Sequence, residues 1–287
     1  MITKAVIPAA GLGTRLLPVT KETPKEMLPI YVRSRDGRVL LKPILQVIFE
    51  NLFDAGFREF CFIVGRGKRA IEDHFTPDYS FLDELERRGK LNSVRDLKEF
   101  YRRIEKSTIV WVNQPFPRGF GDAVLKARTF VGDDCFLVHA GDALVFSNNN
   151  DHLSELLKLQ SEYEPESIFL LKIVDDPRSY GVIEVEEDYG EVVKIKNIIE
   201  KPEVPPSKLA VIPIYVFDPI IFKALKNTPP GKRGEIELTD AIEKLIKWEL
   251  KVYAVKPKKG RVWIDVGTPE NYWMALNISY KIAREGE

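Results

Sequence analysis

Short apolar runs alternate along the chain with longer segments of helical period. Residues 5–7, 60–64, 109–112, 136–140 and 168–173 read as strands, because each run is brief and rich in β-branched or aromatic side chains. Between them, residues 43–55 place Leu45, Ile48, Phe49, Leu52 and Phe53 at helical spacing. Further helical patterns run to about residue 104, then over 122–130 and 153–163, with a closing helix near 269–284. This β–α alternation predicts an α/β fold: a Rossmann-like, mostly parallel mixed sheet flanked by helices, with a β-rich portion in the second half. Residues 1–287 are read as a single domain, divided near residue 145. One segment interrupts the pattern. In residues 33–41 the Asp36-Gly37 pair predicts a small β-hairpin insertion, with a lid or an oligomer contact as alternatives.

Composition narrows the classes. Lysine plus arginine equals aspartate plus glutamate at 43 each in 287 residues, so no global charge favours nucleic acid or an anionic membrane as partner. Recognition of an anion must come from local placement of cations. No signal-peptide pattern opens the chain and no apolar stretch approaches spanning length, which makes the cytoplasm the expected compartment. Cys61 and Cys135 lie in apolar strand-like runs and read as buried thiols. His74, His139 and His152 show no zinc spacing with them; His139, beside a turn, reads either as a packed imidazole or as a neighbour of the site.

The segment from Ile7 to Pro29, IPAAGLGTRLLPVTKETPKEMLP, carries the most chemistry. A strand runs into small residues, Ala9, Ala10, Gly11, Gly13 and Thr14, where backbone N–H groups can close on an anion. Arg15 adds a rigid fork of donors, and Lys25, next to Glu26, a mobile point charge. Together they predict a triphosphate-binding edge. The dinucleotide fingerprint does not fit, since Leu16 stands where the third glycine belongs, and no Walker string occurs. Gly65, Gly67, Lys68 and Arg69 read as a solvated turn that starts a helix.

Other candidates sit at strand ends. Asp142, after an apolar strand and Gly141, is placed to hold Mg²⁺ beside a triphosphate, and Asp265 is a second acid of that kind; either could instead form a turn. Gln114 and Gly119 lie beyond another strand. A side-chain amide with backbone groups can read a base that presents carbonyls and one N–H.

The ordered string through Leu28 resembles the signature of the sugar-nucleotide pyrophosphorylases. The resemblance continues, in family order, through HF at His74, NQPFPRGFGDAVLKA from Asn113, YGVI from Tyr180, IEKP from Ile199 and GEIELTDAI from Gly234, so it covers most of the chain. It is nearest to the bacterial-type UTP–glucose-1-phosphate uridylyltransferases, although GTPENY after Val266 is closer to thymidylyl-transferring relatives. The resemblance implies that about residues 1–145 bind nucleotide, with Ala9, Ala10, Gly11, Gly13, Thr14, Gln114 and Gly119 in contact, and that residues 146–287 bind sugar and close the fold. It implies Arg15, Lys25 and Lys201 as catalytic cations, Gly181, Glu200 and Lys201 on the sugar phosphate, and Asp142 with Asp265 on one Mg²⁺. Glu235 and Asp240 carry no clear role; Thr239 or Asp240 is expected to cap the following helix. The implied reaction joins UTP and glucose 1-phosphate into UDP-glucose and pyrophosphate, in a homo-oligomer. Two alternatives stay open: a glucose-1-phosphate thymidylyltransferase using dTTP, and a non-catalytic nucleotide-sugar-binding regulatory subunit.

Overall fold

Parallel pairing begins at once. In the computed structural model, which describes residues 2–231 and 234–285, β1 (Lys4–Pro8) pairs in parallel with β4 (Glu59–Val64), and β4 with β5 (Thr108–Asn113). On its other side β1 pairs in parallel with β6 (Phe136–His139). Helices make the crossovers: α1 (Ile44–Asp54), α2 (Arg69–His74), α3 (Tyr79–Arg87), α4 (Leu91–Glu105), α5 (Phe120–Lys126) and α6 (Arg128–Val131). Neighbouring positions of these strands serve opposite cores. Ala5, Ile7, Phe60 and Phe62 face one apolar cluster, while Val6, Cys61, Ile63 and Val138 face the other. Burial on both faces explains why the runs are almost continuously apolar.

The remaining strands change the sheet's character. After β7 (Ala143–Phe146) and α7 (Asp151–Tyr163) come β8 (Ser167–Ile173), β9 (Gly181–Asp188), β10 (Val192–Glu200) and β11 (Leu209–Phe217). Helices α8 (Ile221–Lys226) and α9 (Leu238–Lys247), then β12 (Val252–Val255), β13 (Val262–Asp265) and α10 (Pro269–Glu285), complete the chain. The main sheet runs β5-β4-β1-β6-β11-β8-β12-β10-β9, and β9 also touches β11, closing a five-strand ring. β11 is antiparallel to both β6 and β8, and β10 to both β9 and β12. The fold is therefore a mixed α/β fold. The mostly parallel expectation holds for β5-β4-β1-β6 and gives way beyond β6, because hairpin returns such as β9–β10 need no helical crossover.

The predicted hairpin is present. β2 (Pro29–Arg33) and β3 (Val39–Pro43) pair antiparallel around a turn in which Gly37 takes φ +85°. α10 clasps it: Tyr31 and Tyr280 meet edge to face at 5.1 Å, and the Tyr272 hydroxyl donates to the Pro29 carbonyl at 3.0 Å. Cys61 is buried, with its thiol pushed up to about 12 by burial, whereas Cys135 is only half-buried; both are free. Among the described residues no helix is long and apolar enough to cross a membrane.

Candidate functional site

Everything predicted around the glycine loop gathers at the carboxyl end of β1. The Ala9 N–H donates to the Ile63 carbonyl at 2.8 Å and Ala9 is buried, while Gly11, Leu12, Thr14 and Arg15 are exposed. Gly13 sits at φ +66°, where a side chain would be strained, and its carbonyl accepts from the Thr20 hydroxyl at 2.8 Å. A Cβ on Gly11 would lie 3.5 Å from Lys25 Cε, so the loop and Lys25 share one space. Arg15 makes no ion pair among the described residues, which leaves its donors available.

Behind the loop runs a chain of four charges. The Lys25 ammonium bonds the Asp142 carboxylate, with each side chain about a fifth exposed. Glu26 pairs with Lys68 at 2.8 Å, and both are almost fully buried. Burial opposes the Lys25 ammonium, but Asp142 and Glu26 outweigh it and hold its pKa above the ordinary value. Burial likewise opposes ionised Asp142, and Lys25 outweighs that, holding its carboxyl below the ordinary value. Glu26 goes the other way: burial wins over Lys68 and Lys25, and its pKa is raised. Lys68 corrects the reading of GRGK as a solvated turn. The turn does start α2, but its lysine points inward.

Asp142 and Asp265 are neighbours. β7 and β13 pair antiparallel with Asp265 opposite Ala143, and the Val266 N–H donates to the Asp142 carbonyl at 3.1 Å. Asn271 Nδ2 contacts both Asp265 oxygens at 2.9 and 3.0 Å, and the Gly267 N–H reaches Oδ1 at 2.8 Å. No cluster of three or more histidine, cysteine or acidic side chains that could hold a metal exists among the described residues. Two acids on paired strands suit a Mg²⁺ that keeps waters and takes its other oxygens from phosphate; they do not form a closed protein cage.

The Gln114 amide is oriented by its neighbours. Nε2 donates to Asp122 Oδ2 at 2.7 Å and to the Gly119 carbonyl at 3.2 Å, the orientation that a buried carboxylate demands. Oε1 then has no hydrogen-bond partner among the described residues. Gly65 spaces this group from the loop, since a Cβ there would meet the Gln114 carbonyl at 3.4 Å and the Ala10 carbonyl at 3.5 Å. Gly119 and Gly121 pack on the backbone of residue 236, where an added Cβ would come within 2.8 Å.

In the second half, Gly181 and Glu200 are register partners, and the Tyr180 carbonyl accepts from the Lys201 N–H at 3.0 Å. Lys201 takes a strained φ of +45° and its ammonium is 2.8 Å from Glu200 Oε1. The Thr239 hydroxyl donates to Glu200 Oε2 at 3.1 Å. That corrects the capping expectation: α9 starts at Leu238, so Thr239 and Asp240 lie inside its first turn. His139 is buried with Nδ1 2.8 Å from the Ala140 carbonyl, and burial pushes its pKa down to about 4, as for a packed imidazole. Lys68, Gly65 and Thr239 read as local turn or cap residues because their partners lie far off in sequence, and Asp122, eight residues from Gln114, carries no motif that marks it.

The chain belongs to the nucleotidyl transferase family, which residues 4–281 match. Within that class it is 42% identical over 252 residues to a putative UTP–glucose-1-phosphate uridylyltransferase of Methanocaldococcus jannaschii, a match covering 87% of this chain and 84% of that one. It is 35% identical to the UTP–glucose-1-phosphate uridylyltransferase of Pseudomonas aeruginosa over 98% of this chain and 97% of that one. Among solved structures it is similar to a UDP-glucose pyrophosphorylase complexed with UDP-glucose, at TM-score 0.82 and 36% identity over 98% and 99% of the two chains. The UTP-bound UGPase from Acinetobacter baumannii aligns at TM-score 0.84 and 29% identity over 98% and 94%.

Proposed function

We propose that this protein is a Mg²⁺-dependent UTP–glucose-1-phosphate uridylyltransferase. The observation that carries the reading is the Lys25–Asp142 pair, set against the glycine loop in a chain similar, nearly end to end, to uridylyltransferases and to a UDP-glucose complex. The parallel half, about residues 1–145, serves as a Rossmann-like nucleotide platform, and residues 146–287 supply the sugar side. A cytoplasmic homo-oligomer completes the reading.

An oxygen of glucose 1-phosphate attacks the α-phosphorus of UTP; the bond to the β-phosphate oxygen breaks and pyrophosphate leaves. The acceptor is already an anion near neutral pH, so no general base is needed. The protein must hold two anions in line and stabilise charge on the leaving group. Arg15, unpaired among the described residues, takes the leaving phosphates. Lys25 exchanges Asp142 for the transferring phosphate. Gly181, Glu200 and Lys201 orient the sugar phosphate, with Thr239 holding Glu200. Gln114 Oε1 accepts the N3–H of uracil, a proton that cytosine lacks, while Ala9, Ala10 and Gly119 border the ring. Mg²⁺ held by Asp142 and Asp265 would neutralise charge on the α-phosphate.

Thymine has the same N3–H, so dTTP is the alternative substrate, and one methyl separates the two. Pyrophosphate release across UTP, dTTP, CTP and ATP, each with glucose 1-phosphate and other sugar 1-phosphates, tests the reading. Turnover highest with UTP and glucose 1-phosphate supports it. A dTTP optimum selects the alternative, and nucleotide-sugar binding without turnover selects a regulatory subunit.

A further inference from the structure

Lys172 lies near the end of β8, in register with Ala210, which itself pairs with Val182 of β9. Its ammonium is 3.2 Å from the Trp263 ring centroid and 3.8 Å from that of Tyr180, and the two rings meet edge to face at 5.9 Å. Trp263 stands two positions before Asp265 on β13, and Tyr180 leads into Gly181 while its carbonyl holds Lys201. One half-buried side chain thus joins the strand of the metal-candidate acid to the turn of the sugar-phosphate candidates.

The other lysines of the candidate site each have a carboxylate: Lys25 has Asp142, Lys68 has Glu26 and Lys201 has Glu200. Lys172 has no hydrogen bond or ion pair among the described residues. Aromatic faces attract a cation but leave its three N–H donors without oxygen acceptors. Burial pushes its pKa down to about 7, with Asp265 pulling only partly the other way. An incoming phosphate supplies what is missing, both acceptors and negative charge.

We infer that Lys172 is a further substrate-binding cation, which takes the phosphate of the sugar 1-phosphate between the Tyr180 turn and Asp265. The inference rests on the proposed reaction. A packing role for the cage would leave substrate affinity alone.

Lys172→Met keeps the aliphatic stem on both rings and removes the charge. It should raise KM for glucose 1-phosphate about 10-fold or more, the loss of one charged hydrogen bond, with the Kd for UTP unchanged. Lys172→Arg should stay near wild type in both. A KM for glucose 1-phosphate within about twofold of wild type in Lys172→Met overturns the inference. Should that variant not fold, the wild-type protein decides: acetylation of Lys172, followed by mass spectrometry, should slow with glucose 1-phosphate and not with glucose. Equal labelling with and without glucose 1-phosphate overturns it. Wild-type pyrophosphate release is measured first, so absent turnover refutes the reaction itself and is distinguished from a failure confined to Lys172.

Discussion

Asp142→Asn separates what the Lys25–Asp142 pair does for stability from what it does for turnover. The substitution keeps size and removes the charge that Lys25 meets. Breaking one side of a fully buried pair costs about 3–5 kcal/mol, and of an exposed pair about 0–1 kcal/mol. With both side chains about a fifth exposed and Glu26 still close to Lys25, about 2 kcal/mol is expected, or a Tm lower by about 4 °C at this chain length. The pH dependence of this loss is flat in the working range. Asp142, held below its ordinary pKa, contributes stability above ~4 and loses it as pH falls through the folded value. Lys25, held above its own, contributes below ~10.4 and loses it as pH rises through the folded value. The Tm gap should therefore hold steady between about pH 5 and 9. Lys25→Met added to Asp142→Asn removes the orphaned charge, so the double variant should regain Tm over Asp142→Asn alone. Turnover should behave differently, falling by about 10²-fold or more in each single variant and staying low in the double. High Mg²⁺ or Mn²⁺ should restore Asp142→Asn in part. Thermal melts and pyrophosphate release on the same preparations decide the matter. Near-normal turnover of Asp142→Asn at limiting Mg²⁺ would refute the metal role, and additive Tm losses would refute the pairing.

Lys68→Met leaves Glu26 buried without its main cation. Glu26 already has a raised pKa, so its share of stability is present below ~4.3 and is lost as pH climbs through the folded value. The Tm deficit of Lys68→Met should accordingly widen between pH 5 and 8, and Glu26→Gln added to it should narrow the deficit; a deficit constant with pH would contradict this. Asp122→Ala frees the Gln114 amide to rotate, and should cut the preference for UTP over CTP by about 10-fold, read as a ratio of kcat/KM; an unchanged ratio removes Gln114 from base reading. Lys201→Ala should raise KM for glucose 1-phosphate about 10-fold while UTP titrations stay at the wild-type Kd, and equal damage to both ligands would contradict the division of roles.

Much of the candidate site was legible in the chain because its parts are local. Strand, glycine loop, Arg15 and Lys25 lie in one unbroken segment, where small residues and cations need only their order to announce an anion site. The α/β alternation was legible for the same reason, since period and run length are local properties, and Asp36-Gly37 marked its hairpin. Partnership was not. GRGK looked like a surface turn, yet Lys68 is drawn inside by Glu26, forty-two residues before it. Thr239 looked like a cap and instead steadies Glu200, while Lys172 lay unnoticed in an apolar strand until Trp263 and Tyr180 closed around it. Strand direction beyond β6 was equally hidden, because antiparallel return and ring closure depend on which edges meet. Side-chain size, charge and spacing along the chain were enough to mark the first strands, the glycine loop and a candidate anion site. Which charge faces which emerges only in the folded chain, because the pairing of two buried ions depends on distance and desolvation, and neither exists until the sheet has brought them together.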